Sequence, residues 1–262
     1  MKIAVYGNQC QDHKVEEIRA LFEALRASGA FIEVERGFLE YVKGLIPDVA
    51  ADKAVGDGEV SADVVVSIGG DGTFLRAAAW VGSRETPIFG VNTGHLGYLS
   101  DVSVADVSTF VAGLADGNFR IERRSLLQVD TNAGVALANR YALNEVAILK
   151  NASASMLAMD TSVDTTMLNT YLGDGLIIAT PTGSTAYNLS VGGPILHPAC
   201  SSFVLSPIAA HSLTMRPLVV PDTVEIAVTT RSERSHTFRI SVDGESLSLP
   251  IGSTIRLRKA DF

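Results

Sequence analysis

The residues best suited to chemistry begin at Gly69-Gly70-Asp71-Gly72-Thr73. They lie between a β-branched run, Asp63–Ile68, and a stretch of helical spacing from Thr73 to Val81. Glycines in such a turn let the backbone approach a ligand closely and take positive φ. The helix that follows offers unpaired N–H groups and the positive end of its dipole, which suits phosphate. Asp71 can accept a proton from a hydroxyl or help to hold a metal. The plainer alternative is a tight strand-to-helix turn with a capping aspartate. The turn lacks the lysine of GxxxxGK(S/T) and the spacing of GxGxxG, so neither of those phosphate-binding mechanisms applies. Arg76 either brings positive charge to the same turn or is a solvated helix arginine.

A second loop, Gly90-Val91-Asn92-Thr93-Gly94-His95-Leu96-Gly97-Tyr98-Leu99, also follows a strand. Its glycines suit close approach at the carboxyl end of a parallel sheet, where open α/β sheets bind ligands. His95 reads as a loop brace rather than a catalytic group. Asn144-Glu145 joins an amide able to read an adenine edge to a carboxylate able to accept from ribose hydroxyls, on opposite faces of a strand. The longest run starts at Gly173-Asp174 and passes through a strand, Gly175–Ala179. It enters Thr180-Pro181-Thr182-Gly183-Ser184-Thr185-Ala186-Tyr187-Asn188-Leu189-Ser190 and continues through Gly192-Gly193-Pro194-Ile195 to His197-Pro198. Its hydroxyls and N–H groups suit a polar heterocycle and a sugar-phosphate, whereas a structural turn needs fewer of them.

In this order the four segments resemble the bacterial-type NAD kinase family. GGDGT, NTGHLGYL, NE and DGLIIATPTGSTAYNLSVGGPILHP carry the resemblance, with His211-Ser212-Leu213 and Arg216-Pro217-Leu218-Val219-Val220 behind them. It runs from about Val64 to Asp243. GGDG alone is shared with lipid kinases and phosphofructokinases, but the last motif is long and specific. The resemblance implies an N-terminal α/β domain, a β-rich C-terminal domain and NAD between them. It implies ATP-dependent phosphorylation of the adenosine ribose 2′-hydroxyl, with a divalent cation, Mg²⁺, on the donor phosphates. Carried over by position, Asp71 accepts the proton and Gly72 lies beside the dinucleotide. Asn144 and Glu145 bind NAD, while Asp174, Thr182, Thr185, Ala186, Tyr187, Asn188, Leu189 and Ser190 complete the pocket. The backbone at Ala209 and the side chain of Glu245 join them. Family members are homodimers or homotetramers, with part of each site drawn from the neighbouring subunit. Two positions depart from the common pattern: Leu172 stands where a basic residue is frequent, and Ser155 where a larger polar or basic one is. Both bear on contacts to the phosphate end of the ligand, on preference between NAD and NADH, and on the donor.

The elements that must hold these loops alternate between strand and helix over the first hundred residues. Lys2–Tyr6, Phe31–Val34, Asp63–Ile68 and Pro87–Val91 read as strands. Helices are expected over the apolar spacing Val15, Ile18, Leu21, Phe22, Leu25, capped by Asp12 and closed by Gly29, and over Phe38–Leu45 and Val104–Leu114. Ala50–Glu59 reads as a surface loop. This pattern predicts a parallel sheet covered by helices. After Phe119 helical periodicity fades into short alternating runs, as in half-buried antiparallel strands: Leu126–Val129, Ala142–Leu149, Ser155–Val163, Phe203–Pro207, Thr223–Thr229, His236–Val242 and Ser253–Leu257. The expected architecture is therefore an α/β domain, 1–115, and a β-rich, sandwich-like domain, 116–262, whose last few residues return to the first.

Of 262 residues, 47% are hydrophobic and 19% charged, enough for a sizeable core and too apolar for a disordered chain. The net charge of −8 argues against a nucleic-acid backbone as partner. No apolar run approaches the roughly 20 residues of a membrane span, and the N-terminus turns polar too soon for a signal peptide. Only Cys10 and Cys200 occur, with no CxxC pair, as in a reduced, cytoplasmic protein. Two rivals share parts of the pattern. A lipid kinase of the diacylglycerol or sphingosine type has the GGDG turn but needs a membrane-docking surface. A dinucleotide sensor keeps the pocket without the chemistry.

Overall fold

The computed structural model of the chain describes residues 1–94, 97–100, 102–151 and 156–262. The chain divides into two units, Met1–Glu122 and Arg123–Phe262. The sequence texture puts the division a few residues earlier. The turn that ends the first unit's last helix accounts for the difference, because the N–H groups of Gly117 and Asn118 bond back to Leu114 and Gly113.

In the first unit, strands β1 (Lys2–Gly7), β2 (Phe31–Glu35), β3 (Lys53–Val55), β4 (Val64–Ile68), β5 (Ile88–Asn92) and β6 (Val102–Ser103) form one parallel sheet, ordered β3-β2-β1-β4-β5-β6. Side-chain alternation sends Ile3, Val5, Val64 and Val66 to one face. There they pack on helices α1 (Val15–Ala27) and α2 (Arg36–Leu45). Ala4 and Val65 point to the other face, against Trp80 and Val81 of α3 (Asp71–Val81). Helix α4 (Val107–Ala115) adds Val107, Val111 and Leu114 to the first layer. Strand order reverses between β1 and β4, and ligands of open α/β sheets bind in the crevice at such a switch point.

Local sequence explains most of these elements. Ile18, Leu21, Phe22 and Leu25 form the buried stripe of α1, and Gly29, at φ +72°, ends it. Asp12 does not cap α1. Its Oδ1 accepts from the Tyr41 hydroxyl at 2.7 Å, and Lys14 takes the capping position with no side-chain bond. Helix α2 is capped by Glu35, whose carboxylate accepts from the N–H groups of Gly37 and Phe38 at 2.8 and 2.7 Å. The segment read as a loop, Ala50–Glu59, contains edge strand β3, drawn in because Val55 is fully buried and β2 offers a free edge.

The second unit holds β7 (Leu127–Thr131), β8 (Tyr141–Ala142), β9 (Glu145–Lys150), β10 (Leu157–Val163), β11 (Thr166–Gly173), β12 (Gly175–Ala179) and β13 (Ser202–Ile208). It continues with β14 (Leu218–Pro221), β15 (Ile226–Arg231), β16 (Thr237–Val242), β17 (Glu245–Pro250) and β18 (Thr254–Lys259). They form two six-stranded antiparallel sheets, β11-β10-β15-β18-β7-β8 and β14-β13-β12-β9-β16-β17. Val129, Met159 and Leu257 from one sheet and Ile148, Ile178 and Phe203 from the other share a single core, as in a β-sandwich. Strand β12 is buried on both faces, because Ile177 and Ala179 lie beneath Val191 and Leu196. The last residues stay with this unit rather than returning to the first: β18 pairs with β7 and β15, the Ala260 N–H bonds to Leu126, and Phe262 packs on Tyr141. Among the described residues no helix is long and apolar enough to cross a membrane.

Candidate active site

Asp71 opens α3 directly after β4, at the switch point. Its carboxylate is held on both oxygens: Oδ2 accepts from the Tyr98 N–H and Oδ1 from the Leu99 N–H, each at 3.0 Å. The second glycine loop therefore orients Asp71. Gly97 has to lack a side chain for this, since a Cβ there would fall 2.2 Å from Asp71 Oδ1. The turn itself is tight on one side and open on the other. Gly69, at φ +149°, packs on Thr73, while an added Cβ at Gly70 or Gly72 meets nothing within 4 Å. The open side lets a ligand reach the N-terminal end of α3. Arg76, on the same helix, is exposed and lies 3.5 Å from Thr73 Oγ1, with the Tyr6 hydroxyl also in hydrogen-bond reach. Burial raises the Tyr6 phenol above its ordinary value, and the Arg76 charge draws it partly back. The loop is tied down by Asn92, whose Nδ2 donates to Ser100 O at 3.2 Å and whose Oδ1 accepts from the Gly94 N–H at 2.7 Å. His95 lies outside the described residues.

In the second unit Asn144 immediately precedes β9 and Glu145 begins it, and a third carboxylate fixes their backbone. Asp243 accepts from the N–H groups of Leu143, Asn144 and Glu145 at 2.7, 2.9 and 3.1 Å. Burial lifts the Asp243 carboxyl to about 6, against the pull of those donors and with a further push from Glu245. Burial together with the Asp243 charge lifts Glu145 to about 7, partly offset by the Tyr187 N–H. Glu145 Oε2 is buried with no hydrogen-bond partner. It is thus a buried carboxyl oxygen whose hydrogen-bonding capacity the surrounding protein leaves unmet.

The hydroxyl-rich turn closes onto the same strand start. Thr180 donates its N–H to Asn144 O and its hydroxyl to Leu143 O. Gly183 sits so close that a Cβ would fall 2.0 Å from Asn144 O. Not every hydroxyl faces a ligand. Ser184 Oγ donates to Pro181 O, and Thr185 Oγ1 lies 3.3 Å from Thr182 O. Asn188 is fully buried: its amide N–H groups go to Ser184 O and Pro194 O, and its Oδ1 accepts from Ser206. The structure thus makes Asn188 the brace of the turn. Thr182 is buried with Arg124 Nη1 3.3 Å from its hydroxyl. Ala186 is half-buried, and Tyr187, Leu189 and Ser190 are exposed.

Glu245 begins β17, across the β16–β17 turn from Asp243, so it belongs to this end of the sheet. Asp174 and Ala209 do not. They meet at the opposite end of β12, where Asp174 N–H bonds to Ile208 O and Gly173 packs on the Ala209 carbonyl. At roughly 3.3 Å per residue, that strand separates them from the Thr182 turn by more than 15 Å. Asp174 is ion-paired there with Lys150 at 2.7 Å, and Leu172, in β11, is exposed beside them. Ser155 lies outside the described residues. Sequence reading misses Gln11, Arg124 and Asp243, which act across long sequence separations and stand in no phosphate-binding pattern. The one available signal was Asp243-Gly244, a turn dipeptide between two apolar runs.

The chain is similar over its whole length to known proteins. Residues 143–262 match the family model of the ATP-NAD kinase C-terminal domain and residues 49–119 that of the N-terminal domain. The chain is 43% identical over 263 residues to an NAD kinase of Bacteroides fragilis, covering 100% of this chain and 90% of that protein. It is 44% identical over 260 residues to an NAD kinase of Porphyromonas gingivalis, covering 99% and 89%. Among solved structures, an NAD kinase from Archaeoglobus fulgidus in complex with ATP superposes at TM-score 0.76 with 28% identity, over 100% of this chain and 91% of that one. Yeast NADH kinase complexed with NADH shares the fold at TM-score 0.89 and 22% identity, over 100% and 79%.

Proposed function

The chain belongs to the NAD kinase family and is an ATP-dependent NAD kinase, and from that premise we propose that Asp71 takes the proton of the adenosine 2′-hydroxyl as NADP forms. The observation that carries this is the fixed carboxylate at the switch point. Each Asp71 oxygen spends one lone pair on a loop N–H and keeps the other for a substrate hydroxyl. In the step, the 2′-oxygen attacks the γ-phosphorus of ATP, its O–H bond breaks and the proton passes to Asp71. The bond from the γ-phosphorus to the bridging oxygen breaks, and ADP leaves. Phosphoryl transfer depends mainly on positioning and charge stabilisation. The open Gly70–Gly72 turn admits the donor phosphates, with Arg76 supplying charge nearby. Asn144, Glu145, Thr182 and the exposed residues Tyr187, Leu189 and Ser190 hold the adenosine half of NAD, and Glu245 stands beside them.

The donor is ATP carrying Mg²⁺. Among the described residues no three His, Cys, Asp or Glu side chains gather as a metal site. Mg²⁺ on a nucleotide is held mainly by phosphate oxygens with one or two carboxylates, and Asp71 is the carboxylate at the turn. When bound, the ion neutralises charge on the phosphates. Asp174 and Ala209, at the far end of β12, are assigned to the ligand of a neighbouring copy in a homodimer or homotetramer. The exposed apolar side chains of Leu172 and Leu213 near that end support such contact. We place the enzyme in the cytoplasm, where two exposed free cysteines are compatible with a reducing milieu. The test is the product: NAD, ATP and Mg²⁺ should yield a phosphate on the adenosine 2′-oxygen, read by phosphorus NMR and by an NADP-specific dehydrogenase. A 3′-phosphate, or no transfer, would overturn the reading.

A further inference from the structure

We propose that Gln11 is a positioning residue for phosphoryl transfer, acting through both loops that hold Asp71. Its side chain is 4% exposed and lies at the switch point. Nε2 donates to Asn8 O at 3.0 Å and to Ile68 O at 3.2 Å, and Oε1 accepts from Thr93 Oγ1 at 2.9 Å. The amide thus joins three strand ends: the exit of β1, the residue before Gly69, and the loop after β5. Both N–H groups are used, so no donor is left over for a ligand. Its own backbone is pinned as well, the N–H donating to the Tyr41 hydroxyl at 2.7 Å.

These bonds reach the two elements that set the Asp71 carboxylate. Ile68 leads into the Gly69–Asp71 turn, and Thr93 opens the loop that delivers the Tyr98 and Leu99 N–H groups. Parallel strands share no hairpin to lock their ends together, so a buried side chain that bridges them fixes their relative height. A shift of about 1 Å at a reacting group can slow a reaction about a hundredfold. The predicted signature is a loss in kcat with little change in the KM for NAD, because Asn144 and Glu145 are set by Asp243 and the Thr180 turn.

The proposal rests on the kinase reading, and wild-type NADP formation is the control that separates the two. If wild type makes no NADP, the function reading fails, and the role of Gln11 in that reaction fails with it. If wild type is active, Gln11→Ala, assayed well below its own unfolding midpoint, should lose about ten- to a hundredfold in kcat with KM for NAD within twofold. Gln11→Glu keeps an acceptor for Thr93 but turns a carboxylate oxygen toward the carbonyls of Asn8 and Ile68, and should rescue nothing. Thr93→Val should lose less than Gln11→Ala, and the double variant should be no worse than Gln11→Ala alone. Near-normal kcat in Gln11→Ala, full rescue by Gln11→Glu, or multiplying effects in the double variant would each overturn it. Should Gln11→Ala fail to fold, Thr93→Val carries the test alone, with unchanged kcat as the refuting result.

Discussion

Alanine at Gly97 separates the positioning of Asp71 from the presence of Asp71. The new Cβ would lie 2.2 Å from Asp71 Oδ1 and 2.9 Å from its Cγ, where ordinary contact begins at 3.4 Å. Relief requires the carboxylate to move by about 1.2 Å, and it can, because it is the free end of a short side chain at a partly exposed position. That movement breaks the bonds from Tyr98 and Leu99. Water replaces them, so the loss in stability is about 1 kcal/mol rather than the 1.5–3 kcal/mol of each buried charged hydrogen bond. Turnover is far more sensitive: a displacement near 1 Å corresponds to about a hundredfold. The assay is the initial rate of NADP formation with ATP and Mg²⁺ at saturating NAD, alongside thermal unfolding. Gly97→Ala should fall about a hundredfold in kcat while shifting the midpoint by only a few degrees, and it should add little in an Asp71→Asn background. A variant within threefold of wild type, with the same fold, would refute the idea that this loop sets the carboxylate.

The raised Glu145 carboxyl makes folding depend on pH with a defined sign. A carboxyl lifted from 4.5 to about 7 contributes stability that is complete below about 4.5 and lost as pH rises through about 7. Between pH 4.5 and 8 the wild type should lose up to about 3 kcal/mol that Glu145→Gln does not, seen in urea unfolding; parallel pH profiles would sink the claim. Gly183→Ala drives a Cβ to 2.0 Å from the Asn144 carbonyl and 2.6 Å from its Cα, where only backbone could yield. It should lose about 3 kcal/mol or more, and an unchanged denaturation midpoint would show that the turn and strand are not packed as described. Leu213 is 92% exposed, beside the Asp174–Ala209 end of the sandwich. Leu213→Asp should shift the light-scattering mass toward a single chain and lower activity in proportion; an unchanged mass would remove that surface from the subunit contact.

Some elements were legible because burial on both faces leaves a continuous apolar run, as in Val64–Ile68 and Gly175–Ala179, both fully buried. Others were not. Strand β11 exposes Met167 and Leu168 at a sheet edge, so its apolar residues give no alternation. Strand β17, Glu-Ser-Leu-Ser-Leu-Pro, is the opposite edge of the other sheet and keeps mostly polar side chains. Strand β3 has only three residues and depends on Val55. In the site, Asp71 could be read because the turn chemistry around it is local. Gln11 and Asp243 could not, since they bond across 57, 82 and about 100 residues. Asn188 shows the reverse difficulty: an amide among hydroxyls reads the same whether it faces a ligand or, as here, the protein's own carbonyls.

Asp71→Asn tests directly whether Asp71 accepts the 2′-hydroxyl proton. Asparagine keeps the size and one acceptor oxygen but cannot take the proton. NADP formation should fall by at least about a hundredfold, with NAD affinity by calorimetry within about twofold of wild type. Turnover close to wild type, with NAD bound normally, would contradict that role.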